Sequence, residues 1–308
     1  MRISYHKLEP PYAKDFLDWY PYARAENLPP DVPWGPWLAR LLGGDTPGLD
    51  NCFFAARDDR TRKWIGVVWC AVSPTTPELA HLGWLLVEDE YQGQGVGRQL
   101  VQNYLEDVEA RGVQMVMLPT QVSNQRAVGM YERRGWELTM AQPDESTRCW
   151  MVREPEFGYH ARTFAAHGGA VRIVEPQPAD FIALDYLMCR SLSESRLLPD
   201  FAGRRRFCAF VVDWQAEQYA VAREDERPLG LGVLYERGGF LDAFALDEAV
   251  LSELLWCLSK ARPQAQAFAA ESDELKHRVL KELGFRQREA HTLELPGETV
   301  RLRRYERG

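Results

Sequence analysis

Leu82-Gly83-Trp84-Leu85-Leu86-Val87-Glu88-Asp89-Glu90-Tyr91-Gln92-Gly93-Gln94-Gly95-Val96-Gly97-Arg98 is the stretch around which the chain is organised. It reads as an apolar strand, a short acidic turn, a glycine loop and the first turn of a helix. Val96, Leu100, Val101, Tyr104, Leu105 and Val108 fall on one stripe of that helix, and Gly112 supplies its C-terminal stop. A glycine loop at a helix N-terminus presents unpaired backbone N–H groups at the positive end of the helix dipole. A phosphate or pyrophosphate fits such a place, because glycine puts no Cβ in the way of the anion. Tight turns also use glycine, so the loop alone does not decide the matter.

Upstream, Ile3–Leu8 alternates as a strand, and Glu9-Pro10-Pro11 leads into a helix predicted from Ala13. Trp19, Tyr20, Tyr22, Trp34 and Trp37 crowd the next segment. Cys52–Arg57 and Trp64–Val72 read as two strands joined by a charged turn. Downstream, Val113–Leu118 is a further strand, and Ser123-Asn124 caps a helix that runs to Arg133-Arg134 and ends at Gly135. Trp136–Met140 and Thr147–Val152 form a hairpin around Gln142-Pro143-Asp144-Glu145.

Much of this order returns after residue 170. Leu8-Glu9-Pro10-Pro11 is echoed by Val174-Glu175-Pro176-Gln177, and Leu28-Pro29-Pro30-Asp31 by Leu197-Leu198-Pro199-Asp200. Phe54–Asp59 is echoed by Ala220–Asp225, and Glu132–Trp136 by Lys281–Phe285. A duplicated domain is expected, with residues 1–153 and 170–308 as the copies and 154–169 as the linker. The second copy departs at its centre. Phe240–Leu246 runs straight into Asp247-Glu248 and a helix over Ala249–Leu258, with no glycine loop. Two carboxylates at that place repel a pyrophosphate.

The 308 residues suit two ordinary domains, and 45% apolar residues suit a packed core. Met1-Arg2-Ile3-Ser4 opens directly into a strand pattern, without a signal peptide or membrane span, so a cytoplasmic setting is expected. The six cysteines are scattered and suggest neither a disulfide framework nor a zinc site. A net charge of −8 argues against nucleic acid as the main partner. The loop spacing is wrong for a dinucleotide fold, the Lys-Ser/Thr of a P-loop is missing, and His-Glu-x-x-His does not occur.

Two motifs give the first half its character. Gln92-Gly93-Gln94-Gly95-Val96-Gly97 matches Gln/Arg-x-x-Gly-x-Gly/Ala. Asn124, Ala127, Tyr131, Gly135 and Trp136 match Asn-x-x-Ala-x-x-x-Tyr-x-x-x-Gly-Phe/Trp. On these residues the first half resembles the GNAT superfamily of acyl-CoA-dependent N-acetyltransferases, and the second half looks like a degenerate copy. The resemblance implies an α+β fold of two tandem domains, each a mixed, mostly antiparallel sheet flanked by helices.

It also implies that the amides of Gln92, Gly93, Gln94, Gly95, Val96, Gly97 and Arg98 hold the pyrophosphate of acetyl-CoA, with no metal. The strand through Leu85, Leu86 and Val87 then lies along the pantetheine arm, and an amide near Val87 polarises the thioester. Tyr131 is implied as the acid that protonates the leaving thiolate, although an amphipathic helix also buries such a residue in the core. Asn124 is both a helix cap and a contact to the cofactor arm. Many relatives carry a glutamate base where this chain has His81, and alternation places His81, Gly83, Leu85 and Val87 on one face. Arg126, Arg133 and Arg134 reach a 3′-phosphate or are simply solvated. The aromatics from Trp19 to Trp37 either wall a site for a cationic amine or pack in the core. The expected activity is direct acetyl transfer to a small-molecule or protein N-terminal amine, by a monomer or homodimer with no membrane partner. The alternative is a non-catalytic acyl-CoA-binding or sensing protein.

Overall fold

The computed structural model describes residues 2–21, 49–121, 123–141, 148–156, 159–191, 218–235, 239–271, 273–295 and 298–307. Tyr22, Trp34 and Trp37, the turn at residues 142–145, and the echo between residues 28–31 and 197–200 lie outside them. The first half is built from β1 (Ile3–Leu8), α1 (Lys14–Trp19), β2 (Asp50–Asp58), β3 (Trp64–Val72), β4 (Leu79–Val87), α2 (Val96–Ala110), β5 (Met115–Gln121), α3 (Gln125–Glu132), β6 (Glu137–Ala141) and β7 (Arg148–Arg153). A short helix, α4 (Tyr159–Thr163), leads into the second half. There follow β8 (Val171–Val174), α5 (Phe181–Ser191), β9 (Gln218–Glu224), β10 (Arg227–Tyr235), β11 (Phe240–Ala245), α6 (Glu248–Ala261), β12 (Gln266–Ala270), α7 (Glu274–Glu282), β13 (Phe285–Leu295) and β14 (Glu298–Arg307).

Among the described residues there are two sheets of seven strands each, in the orders β1-β2-β3-β4-β5-β7-β6 and β8-β9-β10-β11-β12-β14-β13. Strand for strand these are the same sheet made twice, which is the tandem α+β architecture. Each is antiparallel except at one place: β4 lies parallel to β5, and β11 parallel to β12. A parallel pair needs a crossover, and α2 and α6 supply it. The apolar stripe of α2 is buried at all six predicted positions, against the face of β4 that carries Ala80 and Leu82.

The expected alternation along β4 breaks. Val68 of β3 pairs with Leu85 and Cys70 pairs with Leu82, so Gly83 and Trp84 together oppose Trp69. This extra residue is a β-bulge, and it reverses the faces beyond it. Leu85 and Val87 pack with Leu82 on the α2 side, whereas Trp84 and Leu86 pack on the other. His81 lies on that other face, against Trp69 and Trp150. His81 therefore does not share a face with Leu85 and Val87.

Among the described residues, three apolar clusters hold the molecule together. One lies under α2 and α3, and another under α6 and α7. The third is common to both halves: Phe16, Phe53, Trp69 and Trp150 join Phe164, Phe181, Leu184 and Phe244.

Candidate active site

The glycine loop has the backbone that an anion site needs. Gly93 and Gly95 take φ values of 80° and 88°, the left-handed region that side chains other than glycine rarely adopt. Gly95 is the N-cap of α2, whose first internal hydrogen bond runs from Gln99 N–H to the Gly95 carbonyl at 3.0 Å. The amides of Val96, Gly97 and Arg98 thus have no acceptor within the helix. The side chains around the loop fold back to shape it. Gln92 donates to the Val87 carbonyl at 3.1 Å and to Asp89 at 2.8 Å, and Gln94 donates to the Glu90 carbonyl at 2.7 Å. Upstream, the Tyr91 hydroxyl donates to the buried Asp58 at 2.9 Å, a support that motif reading did not suggest.

Arginines surround this loop. Arg126 Nη2 comes within 3.0 Å of the position a Gly93 Cβ would take, and Arg98 Nη2 within 3.7 Å of that for Gly95. Burial, then the nearby Arg98 and Arg133, push the pKa of Arg134 down. Among the described residues none of Arg98, Arg126, Arg133 and Arg134 pairs with a carboxylate. A concentration of cations that form no ion pair is electrostatically suited to a polyphosphate. Asn124 caps α3, its side chain accepting from Ala127 N–H at 3.2 Å.

Beside the loop the sheet opens. β4 and β5 pair from Leu79↔Met115 to His81↔Met117 and no further, so past His81 the β5-facing edge of β4 is free of its neighbour. The bulge falls at this point. Trp69 packs against Gly83, where an added Cβ would stand 1.9 Å from the indole ring, so only glycine fits there. Leu85 and Val87 turn their side chains toward Gly97 at the start of α2.

Tyr131 is buried in the cluster under α2, edge-on to Trp136 with ring centroids 5.6 Å apart, and burial raises its pKa. No described residue hydrogen-bonds its hydroxyl. His81 is also buried, 5.2 Å from Trp69 and 6.1 Å from Trp150 between ring centroids, and Nδ1 has no partner among the described residues. Desolvation lowers its pKa to about 4, so the imidazole is neutral at physiological pH and a weak proton acceptor. Tyr20 is a core residue stacked on Phe16 at 5.5 Å. Trp19 instead reaches the end of β4, its Nε1 donating to Glu88 at 2.7 Å.

The corresponding place in the second half is filled. Asp247 caps α6 with its own carboxylate, accepting from Ala249 and Val250 N–H. β10 and β11 pair without a bulge from Gly230↔Ala245 to Tyr235↔Phe240. Asp273 caps α7 as Asn124 caps α3, and the residue three positions on, Lys276, stands where Ala127 stands in the first half. Lys276 forms a buried ion pair with Asp242, just past the last pairing of β11 with β12. Four residues before Gly284, the counterpart of Tyr131 is Leu280.

Among the described residues no group of three or more His, Cys, Asp or Glu is arranged to hold a metal, and no helix is long and apolar enough to cross a membrane. A family model described as Acetyltransferase (GNAT) family matches residues 13–136. N-alpha-acetyltransferase 30 of Schizosaccharomyces pombe is 36% identical over 106 residues, which is 34% of this chain and 67% of that protein. The ribosomal protein bS18-alanine N-acetyltransferase of Escherichia coli K12 is 33% identical over 66 residues, 21% of this chain and 45% of that one. The chain thus spans less than half the length of the bacterial relative. The crystal structure of the NatC complex bound to Gag peptide and CoA aligns at 19% identity with a TM-score of 0.41, over 51% of this chain and 100% of that chain.

Proposed function

The chain belongs to the acetyltransferase (GNAT) family, and from that premise we propose that residues 1–153 form a catalytic domain, 154–169 a linker and 170–308 a degenerate copy. The catalytic domain transfers an acetyl group from acetyl-CoA to a primary amine, directly, within one ternary complex. The observation that carries this reading is the loop with its two left-handed glycines, ringed by unpaired arginines, beside a sheet that parts. Acetyl-CoA supplies an activated thioester when bound. The amides from Gln92 to Arg98 hold its pyrophosphate, Asn124 and the backbone of Leu85 and Leu86 flank its arm, and an amide near Val87 stabilises charge developing on the carbonyl oxygen.

Tyr131 is the acid for the departing thiolate. Burial holds the phenol above its usual value near 10, so donation to a thiolate near 8.5 is uphill and is drawn by departure of the thiolate. Changing Tyr131→Phe lowers kcat about a hundred-fold and leaves acetyl-CoA affinity unchanged. An equal kcat removes the residue from the chemistry.

We assign the acceptor to the α-amine of a polypeptide rather than a lysine-like amine. The names of the two relatives above point to such acceptors, and the environment of His81 supports it. A lysine-like amine is free in about one molecule in a thousand at neutral pH and needs a competent base. An α-amine, with a pKa near 7.7–8.0, is already free in roughly one molecule in ten. With a pKa of about 4, His81 is too weak to deprotonate the former, whereas the latter needs no strong base. The test is CoA release from acetyl-CoA against a panel of free N-terminal peptides, N-blocked lysine peptides and small amines. Peptide α-amines are expected to be the substrates. Release with blocked lysine peptides alone overturns this assignment, and release with no amine leaves an acyl-CoA-binding protein.

A further inference from the structure

We infer that the second half braces the strand on which acetyl-CoA binds, and that Arg227 is the positioning residue of that brace. The inference rests on the acetyl-CoA reading of the first half. β4 and β5 are joined at Glu78, whose carbonyl accepts the N–H groups of both Gln114 and Met115 at 2.8 Å. From this joint the strands pair for three residues and then part, so Glu78 anchors the closed end from which they diverge. The turn leading to it is tightly wired: Ser73 N–H donates to the Leu79 carbonyl, Thr76 N–H donates to Ser73 Oγ, and both side chains are fully buried.

The second half grips this turn at two points. Arg227, the first residue of β10, donates through Nη2 to Glu78 Oε1 at 3.1 Å and through Nη1 to the Thr163 carbonyl of α4 at 2.9 Å. Thr75 Oγ1 donates to the Ala179 carbonyl at 3.2 Å. Above the turn, α5 is buried in the apolar cluster that also takes up Trp69, Trp84 and Leu86 beside the bulge. The strand that carries the cofactor edge is thus fixed at its root by charge and along one face by apolar packing. Strands that pair for only three residues lack the further ladder hydrogen bonds that would set their separation, so a support from outside the pair can set it. Arginine suits the task because its planar fork spans a carboxylate and a carbonyl at fixed spacing, which a lysine ammonium does not.

The test is calorimetric titration of the full chain with acetyl-CoA, together with thermal melting. Arg227→Gln is expected to weaken acetyl-CoA binding about five-fold with one site per chain retained, and Arg227→Lys to recover part of the loss. Arg278→Gln breaks an exposed ion pair with Glu248 elsewhere in the second half and is expected to bind like the unaltered protein. A lowered Tm in Arg227→Gln with an affinity equal to that of Arg278→Gln means a purely structural contact and overturns the inference. Should Arg227→Gln not fold, Thr75→Val probes the other grip, with weakening of about two-fold expected and equal affinity overturning the brace. Failure of the unaltered protein to bind acetyl-CoA overturns the cofactor reading itself, and the brace with it.

Discussion

In the first half, β4 carries one residue too many for its partner, and the glycines that follow leave the N-terminus of α2 open. In the second half, β11 pairs with β10 residue for residue, and Asp247 folds its carboxylate over the N-terminus of α6. Past the last β4–β5 pairing the first half has Ala127 at the position where the second half has Lys276, which forms a buried ion pair with Asp242. The aligned glycines Gly66 and Gly230 fix the correspondence, each lying against the first turns of its crossover helix. The difference teaches that a binding cleft in this fold is a set of deliberately unmet needs. Open amides, a parted sheet and unpaired cations have to be left for a ligand. In the second half the chain meets those needs itself: a carboxylate for the amides, an ammonium and a carboxylate at the end of the strand pairing, a leucine in place of the tyrosine.

The comparison breaks most readily at the ion pair. Lys276→Met leaves the Asp242 carboxylate buried without its partner and is expected to destabilise the protein by about 4 kcal/mol. The double change with Asp242→Leu is expected to recover most of that. Denaturant midpoints check both, and a single change as mild as the double one means the pair is not a plug.

A smaller effect follows from His81, whose second-half counterpart is Phe240. Its pKa is about 4 in the folded chain against an ordinary 6.5, so the unfolded chain takes up the proton first as pH falls. Stability from the buried neutral ring is complete above pH ~6.5 and is lost as pH falls toward ~4, about 3 kcal/mol in all. His81→Phe, which makes the first half like the second, is expected to remove this slope. Denaturation midpoints across that window decide it, and an unchanged slope assigns the titration elsewhere.

The smallest effect is at the cap. Asp247→Ala is expected to lower stability by about 1 kcal/mol and to leave acetyl-CoA binding at one site per chain. A second calorimetric site would show that the carboxylate alone kept the second cleft closed.

Local signals carried most of the first half. The stripe of α2, the left-handed glycines of the loop and the Asn124 cap each depend on residues close in sequence, and all were readable there. The bulge was not. His81, Gly83, Leu85 and Val87 alternate as a plain strand does, and the extra residue lies opposite Trp69 on a neighbouring strand. Gly83 was its one trace. The plug in the second half was within reach, since counting eight residues back from Gly135 and from Gly284 gives Ala127 and Lys276. Its partner Asp242 was not, because nothing local ties a strand residue to a helix 34 positions later. Of the aromatic wall, Tyr20 is core and Trp19 leans on Glu88. Aromatic composition does not separate those two fates.

The apolar cluster shared by the halves has a consequence for how the chain is made. When β7 leaves the ribosome the first sheet is complete, yet the face bearing Trp69 and Trp150 still lacks Phe181, Leu184 and Leu187 of α5. At typical synthesis rates the missing helix follows within roughly two to seven seconds. Through that interval the nascent first half displays an apolar face, and expression of that half alone is expected to aggregate. The finished protein is expected to melt in one transition, because neither half can let go without exposing the other.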